Sequence, residues 1–269
     1  MNKLISIIIP THKPGKYIED CIKSVSLQTF SKESFEVIIV LNGCGEPWKS
    51  EIERLINEYL SDNHVRFICI ADSGVSNARN IALDNTKGEY ITFLDDDDII
   101  TPQYLQQLYS ISGPECVGLS NSLSFIDGTN IYDNDYQQHL IFERLHKKAK
   151  NSLTSVRAYF NGPVMKLIHR DIIGDRRFDC RFANGEDSLF MALISDRIKN
   201  CKFTGEQAVY LRRFRESSAT TRRRSRAEIA RNSARLMGMY TLYFFRHPLG
   251  YSPSFYLTRY LAAIKNILV

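Results

Sequence analysis

Two short acidic stretches carry residue types at spacings suited to chemistry. The first is Asp95-Asp96-Asp97-Asp98, entered directly from the apolar run Ile91-Thr92-Phe93-Leu94, and the second is Glu186-Asp187, preceded by Gly185. Four adjacent carboxylates repel one another, so they stay solvated, take up protons or hold a cation. In extended chain Asp95 and Asp97 point one way and Asp96 and Asp98 the other, which would leave one pair for a metal and another residue for polar ligand contacts. An acidic run on its own is more often a water-facing turn that helps start a helix. Glu186-Asp187 on its own reads more readily as helix capping, since the macrodipole favours negative charge at a helix start. What surrounds the two patches has to decide.

The elements that position them follow from periodicity. Ile5 to Ile9, Phe35 to Leu41, Val65 to Ile70 and Ile91 to Leu94 read as strands. Between them, Tyr17 to Gln28, then Trp48, Ile52, Leu55, Ile56 and Tyr59, then Val75, Ala78 and Ala82 carry apolar residues at helical spacing. Thr101-Pro102 opens a further helix with Tyr104, Leu105 and Leu108. This alternation predicts an α/β fold with a mostly parallel sheet covered on both faces, and it puts the first acidic run at a strand's C-terminal end, where such sheets bind ligands. The loops Pro10-Thr11-His12-Lys13, Asn42-Gly43-Cys44-Gly45 and Asp72 to Asn80 leave the same edge. Lys13 and Arg79 there either offset phosphate charge or are ordinary surface cations. With no GxGxxG and no GxxxxGK[ST], neither a dinucleotide fingerprint nor a P-loop is supported. Further on, Val117 to Ile126 is expected as a strand, Leu140, Phe142 and Leu145 as part of a short helix, Pro163 to Arg170 as a strand and Ser188 to Ile198 as a helix opened by Gly185-Glu186-Asp187.

SIIIPTHK, the turn after FEVIIVL, GVSNARNIAL and GEYITFLDDDD stand in the order and spacing of the family 2 glycosyltransferases of the GT-A fold, which this chain resembles over roughly residues 4 to 110 and again over 163 to 220. The resemblance implies a Rossmann-like nucleotide-binding half (1–110), an acceptor-binding half (111–220) and a C-terminal helical extension (221–269). It implies that the acidic run is a DxD motif, with Asp97 and Asp95 holding Mn²⁺ or Mg²⁺ and Asp95 and Asp96 touching metal, ribose or donor sugar. Pro10, Thr11, Lys13, Asn42 and Arg79 fall on nucleotide-contacting positions, and Arg213 or Arg215 on the segment that closes near the diphosphate. Asp187 matches the catalytic base of an inverting enzyme, with Glu186 orienting it or an acceptor hydroxyl. One departure stands out: the family usually has Asp-Asp after strand two, the first pairing with uracil, where this chain has Leu41-Asn42. Leucine accepts no hydrogen bond, so either Asn42 takes over or the base is not uracil. The expected partners are a nucleotide-sugar donor and a glycan or lipid-linked glycan acceptor in surface polysaccharide synthesis. A sugar-phosphate nucleotidyltransferase and a non-catalytic scaffold of the same fold are the alternatives.

Charge is unevenly placed in the 269 residues. From Gly205 to Val269 there are eleven Arg and Lys265 against Glu206, Glu216 and Glu228, a balance of +9, so with a net charge of +5 the remainder carries −4. Two basic amphipathic helices are expected there, one bearing Ile229, Leu236, Met239, Tyr240 and Tyr243, the other Leu257, Tyr260, Leu261, Ile264 and Leu268, with Pro248 to Pro253 between them. Such helices cover the sheet, pair with a second subunit as in a homodimer, or lie on an anionic membrane surface. No nucleic-acid motif accompanies the arginines. Six widely spaced cysteines without a CxxC pair fit reduced thiols in a cytoplasmic protein, peripheral on a membrane if the tail binds lipid.

Overall fold

The computed structural model describes residues 4–129, 132–133, 136–214 and 225–268. The chain runs β1 (Ile5–Thr11), α1 (Tyr17–Ser26), β2 (Phe35–Asn42), α2 (Trp48–Tyr59), β3 (His64–Ile70), α3 (Val75–Asp84), β4 (Tyr90–Phe93), β5 (Ile99–Ile100), α4 (Tyr104–Ile111), β6 (Cys116–Leu119) and β7 (Asn121–Ile126). It continues through β8 (Tyr132–Asp133), α5 (Gln137–Leu145), β9 (Lys166–His169), α6 (Arg170–Ile173), α7 (Glu186–Leu193), β10 (Asn200–Phe203), β11 (Val209–Phe214), α8 (Arg226–Arg246) and α9 (Pro253–Leu268).

Seven strands form the main sheet in the order β10-β6-β9-β4-β1-β2-β3. β4, β1, β2 and β3 are parallel, and β9 alone runs against its neighbours β4 and β6. Every position of β1 and β2 is buried, as expected for strands covered on both faces, where the sequence reads as a continuous apolar run. The helices after these strands each bury one stripe, Ile18, Cys21, Ile22 and Val25 on α1 and Ile52 and Leu55 on α2.

A second sheet, β5-β11-β7-β8, is built around the edge where the parallel strands end. The stretch expected as one strand from Val117 to Ile126 is two, because β6 pairs with β9 and β10 in the main sheet while β7 pairs with β11 in the second. The acidic run is the junction between the sheets. Leu94 N–H donates to Ile8 O at 2.9 Å, Asp98 N–H folds back onto Asp95 O at 3.1 Å, and Ile99 and Ile100 then pair with Leu211 and Tyr210. Asp95 to Asp98 is therefore a turn rather than extended chain, which overturns the expected alternation of its side chains.

Helices α8 and α9 form an antiparallel hairpin tied by Thr241 Oγ1 and Tyr260 Oη, 2.7 Å apart. Ser225 and Glu228 form a capping box at the start of α8. The inner side chains Leu236, Tyr240, Tyr243, Tyr251, Phe255 and Tyr256 join the same buried cluster as the sheet. No helix among the described residues is long and apolar enough to cross a membrane.

Candidate functional site

Both acidic patches open onto one cleft of about 900 Å³. Its walls come from Pro10 and Thr11 at the end of β1 with His12 beyond it, Asn42 at the end of β2, Ser73 to Val75 at the start of α3, Asp95 to Asp98, Glu186 and Asp187 at the start of α7, and Arg212 to Phe214 of β11. A second cavity of about 300 Å³ shares Asp95, Asp98, Asp187, Tyr136 and Arg212 with the cleft and continues into Gln138, Tyr159 and the 161–165 loop.

The link between the patches is Arg79. Only 3% exposed, it donates from Nη1 to Asp187 Oδ1 at 2.6 Å and from Nη2 to Asp95 Oδ1 at 3.1 Å, with its guanidinium carbon 5.4 Å from the Phe178 ring centre. Helix α3 is what carries it there, with Ala78 and Ala82 buried on the same side. This cation does not line the cleft as a phosphate contact would; it sits behind the carboxylates and spans them. Such a pairing also favours its charged form.

The four aspartates have separate environments. Asp98 is buried, accepts from Tyr210 Oη at 2.7 Å and from Arg213 N–H at 2.8 Å, and burial, with Asp95 and Asp97 adding, pushes its carboxyl well above the ordinary range. Asp96 accepts from Thr11 Oγ1 and so joins the β1 loop to the turn. Asp95 is held by Arg79, and Asp97 lines the cleft while its backbone carbonyl takes Arg213 Nε at 2.9 Å. Placing one of the four out of water against a hydroxyl and an amide relieves part of the mutual repulsion.

Gly185, at φ +81°, is the N-cap of α7 and has no side chain to cap with; Glu186 and Asp187 fill the first turn, where the macrodipole favours negative charge. A Cβ on Gly185 would come within 2.6 Å of Leu236 Cδ1, so α8 seats directly on this turn. Asp187 is raised to about 6, first by burial, with Glu186 and Asp95 adding and Arg79 and Lys166 opposing. Glu186 Oε2 is buried without a hydrogen-bond partner among the described residues. Behind Asp187, the fully buried Lys166 donates to Gly162 O at 2.7 Å and to Val164 O, and burial pushes it down to about 7.

Several residues expected to contact the donor are engaged with protein partners, lie off the cleft wall or fall outside the described residues. Arg213 is buried in ion pairs with Asp20 and Asp127 and packs on Tyr17 and Phe125, so it braces the β5–β11 junction rather than standing open to a phosphate. Arg215 lies outside the described residues. Lys13 is exposed and is not part of the cleft wall. Asn42 is 3% exposed, donating to Thr11 O at 2.7 Å and accepting from Gly74 N–H at 2.9 Å; its amide pins two loops together, and Leu41 is wholly buried. Sequence reasoning passed over His12, whose Nδ1 is 2.6 Å from Asn42 O, and Arg212, whose Nη1 reaches Tyr136 Oη at 3.4 Å. The signal for Arg212 was present: on a strand it faces away from Arg213, so burying one exposes the other.

Among the described residues, no three His, Cys, Asp or Glu side chains converge as a ready-made metal cage. Mn²⁺ and Mg²⁺ are commonly held by one or two carboxylates plus substrate phosphates, and the oxygen donors Asp95 and Asp97 on the cleft wall fit that kind of site.

A mostly parallel sheet flanked by helices, with two carboxylate patches at its C-terminal edge, is an α/β fold of the GT-A type. The profile of glycosyl transferase family 2 matches residues 6–177, and the chain belongs to that family. It is 28% identical over 198 residues to the O-antigen biosynthesis glycosyltransferase WbnJ of Escherichia coli, covering 72% of each chain. It is 29% identical over 155 residues to the glycosyltransferase GlyA of Streptococcus pneumoniae serotype 4, covering 53% of this chain and 22% of GlyA. The chain thus spans about a fifth of GlyA and about a third of GlyG from the same organism. Two solved structures share the fold. Staphylococcus aureus TarS 1–349 in complex with UDP-GlcNAc has a TM-score of 0.70 at 21% identity over 88% of this chain and 66% of that one. A Pyrobaculum calidifontis mannosyltransferase in complex with GDP-Man and Mn²⁺ has a TM-score of 0.66 at 15% identity over 100% and 73%.

Proposed function

We propose that this chain is a metal-dependent, inverting glycosyltransferase that moves a sugar from a nucleoside-diphosphate donor to a hydroxyl of a glycan or lipid-linked glycan in surface polysaccharide synthesis. The observation that carries the reading is the convergence of the Asp95–Asp98 turn and Asp187 on one cleft, joined by Arg79. Asp187 is the base: a carboxylate raised to about 6 is still ionised near neutral pH yet basic enough to draw a proton from a hydroxyl. Glu186, on the cleft wall beside it, orients Asp187 or an acceptor hydroxyl. Asp97 and Asp95 would hold Mn²⁺ or Mg²⁺, which when bound offsets charge on the departing diphosphate. Pro10, Thr11 and Asn42 shape the nucleotide end, and exposed Arg212 on the cleft wall is better placed than Arg213 to meet phosphate. The smaller cavity, walled in part by Tyr136, Gln138 and residues 158–165, is the acceptor side.

Support for a donor of this class comes from the solved structures that share the fold, one in complex with UDP-GlcNAc and one with GDP-Man and Mn²⁺. Because Asn42 is committed to backbone partners, the base is read by other groups or through the one donor and one acceptor site that Asn42 retains. Titration calorimetry with UDP and GDP, with and without Mn²⁺, tests the assignment. Binding should require the metal, disappear in Asp97→Ala and persist in Asp187→Asn, while Asp187→Asn stops transfer. Metal-independent binding, or normal transfer by Asp187→Asn, overturns it.

A further inference from the structure

The C-terminal hairpin has two unlike sides. Its inner side locks the acid-bearing turn: Leu236 seats on Gly185, Tyr240 Oη lies 3.0 Å from Ser188 Oγ, and buried Arg259 donates to Ser188 Oγ at 3.2 Å and Asn161 Oδ1 at 2.9 Å. Its outer side is apolar where water would ordinarily favour polar residues. On α9, Leu257, Leu261 and Ile264 recur at i, i+4 and i+7, well round the helix from the buried stripe of Tyr256, Arg259 and Ala263, and all three are exposed. At the helix–helix turn Phe245 is 72% exposed and Leu249 fully so. Thr241 meets Tyr260 across the hairpin, so Phe245, one turn further along α8, lies level with the Leu257 end of α9. By this register, exposed apolar side chains run from the turn along α9.

Charge says what covers this run. Residues 225–268 hold Arg226, Arg231, Arg235, Arg246, Arg259 and Lys265 against Glu228 alone, six minus one or +5, and all the cations except Arg259 are exposed. Arg246 adjoins Phe245 at one end of the run and Lys265 adjoins Ile264 at the other. Exposed Phe and Leu bordered by Arg and Lys, on helices not long and apolar enough to span a bilayer, is the pattern of an interfacial helix on anionic lipid.

We propose that the outer face of the α8–α9 hairpin docks on an anionic membrane surface, with Phe245, Leu249, Leu257, Leu261 and Ile264 entering the interface and Arg246 and Lys265 meeting lipid headgroup phosphates. This goes beyond the reading of the cleft and does not depend on it. If both hold, the hairpin fixes the Glu186–Asp187 turn to a support that itself rests on lipid, where a lipid-linked acceptor would arrive.

The test is sedimentation of the full chain with vesicles of phosphatidylcholine alone or mixed with phosphatidylglycerol, at low and high salt. Binding is expected to the anionic vesicles and to weaken with salt. The double variant Phe245→Ser/Leu261→Ser should lose at least about tenfold in partitioning, and Arg246→Glu/Lys265→Glu should lose the anionic preference. Both variants change only exposed side chains, and an unaltered melting temperature confirms that they fold. Three outcomes overturn the proposal: no sedimentation with either vesicle, equal binding to both, or a concentration-dependent dimer abolished by the double variant while vesicles are ignored, which assigns the face to a second copy. Nucleotide calorimetry on the same preparation reports separately on the cleft.

Discussion

Replacing Asp187 by Asn should stabilise the protein at neutral pH while removing the proposed base. The carboxyl is raised to about 6, against about 3.9 in an unfolded chain. Above pH 6 the group is charged in both states, and the folded state bears the whole penalty of keeping that charge in a crowded, partly dry site. Below about pH 4 it is protonated in both states and the penalty is gone. Two pK units correspond to about 3 kcal/mol. Water from the cleft reaches the carboxylate, whose side chain is 27% exposed, and screening leaves about 1–2 kcal/mol. Asparagine keeps the shape and an oxygen for Arg79 without the charge. Denaturant melts of the native protein and Asp187→Asn at pH 7.5 and pH 4.5 give the comparison. The variant should be more stable by about 1–2 kcal/mol at pH 7.5, with the gap closing at pH 4.5. A gap of opposite sign, or one independent of pH, refutes the claim that burial raises this carboxyl. The same titration sets activity: transfer should fall as pH drops through about 6, the value at which Asp187 takes up its proton.

Two further substitutions probe the supports of the site. Arg79→Met removes the cation shared by Asp95 and Asp187; it should lower stability by about 3–5 kcal/mol and move the Asp187 titration upward from about 6, with Arg79→Lys intermediate. Carboxyl-carbon NMR, with Asp187→Asn identifying the signal, reads the shift, and an unmoved titration removes Arg79 from the account. Gly185→Ala places a Cβ against Leu236 Cδ1 at a φ of +81°, so it should destabilise by about 1–3 kcal/mol. An unchanged melting temperature would show that α8 does not bear on this turn.

Much of the N-terminal half was legible because its signals are local. The fully apolar β1 and β2, the helical stripes of α1 and α2 and the glycine-bounded β4 each sit within a few residues, and the sheet follows from their alternation. The segment from 113 to 163 was not, because β6 and β7 are adjacent in sequence yet belong to different sheets, and their partners β9, β10 and β11 lie far along the chain. Helix α7 begins at Glu186, two residues before the expected start, since Gly185 supplies its N-cap.

By itself the sequence determined that two carboxylate patches exist, that the first ends a buried strand, and that cations follow both. Residue type and short-range periodicity are sufficient for that. Only the tertiary structure decided which partner each carboxylate meets. Asp98 faces inward because β5 must leave the main sheet to pair with β11, and Arg79 and Arg213 face carboxylates because burial makes an unpaired guanidinium costly. Those partners come from 16 to 193 residues away, a separation over which no sequence pattern constrains how two side chains meet.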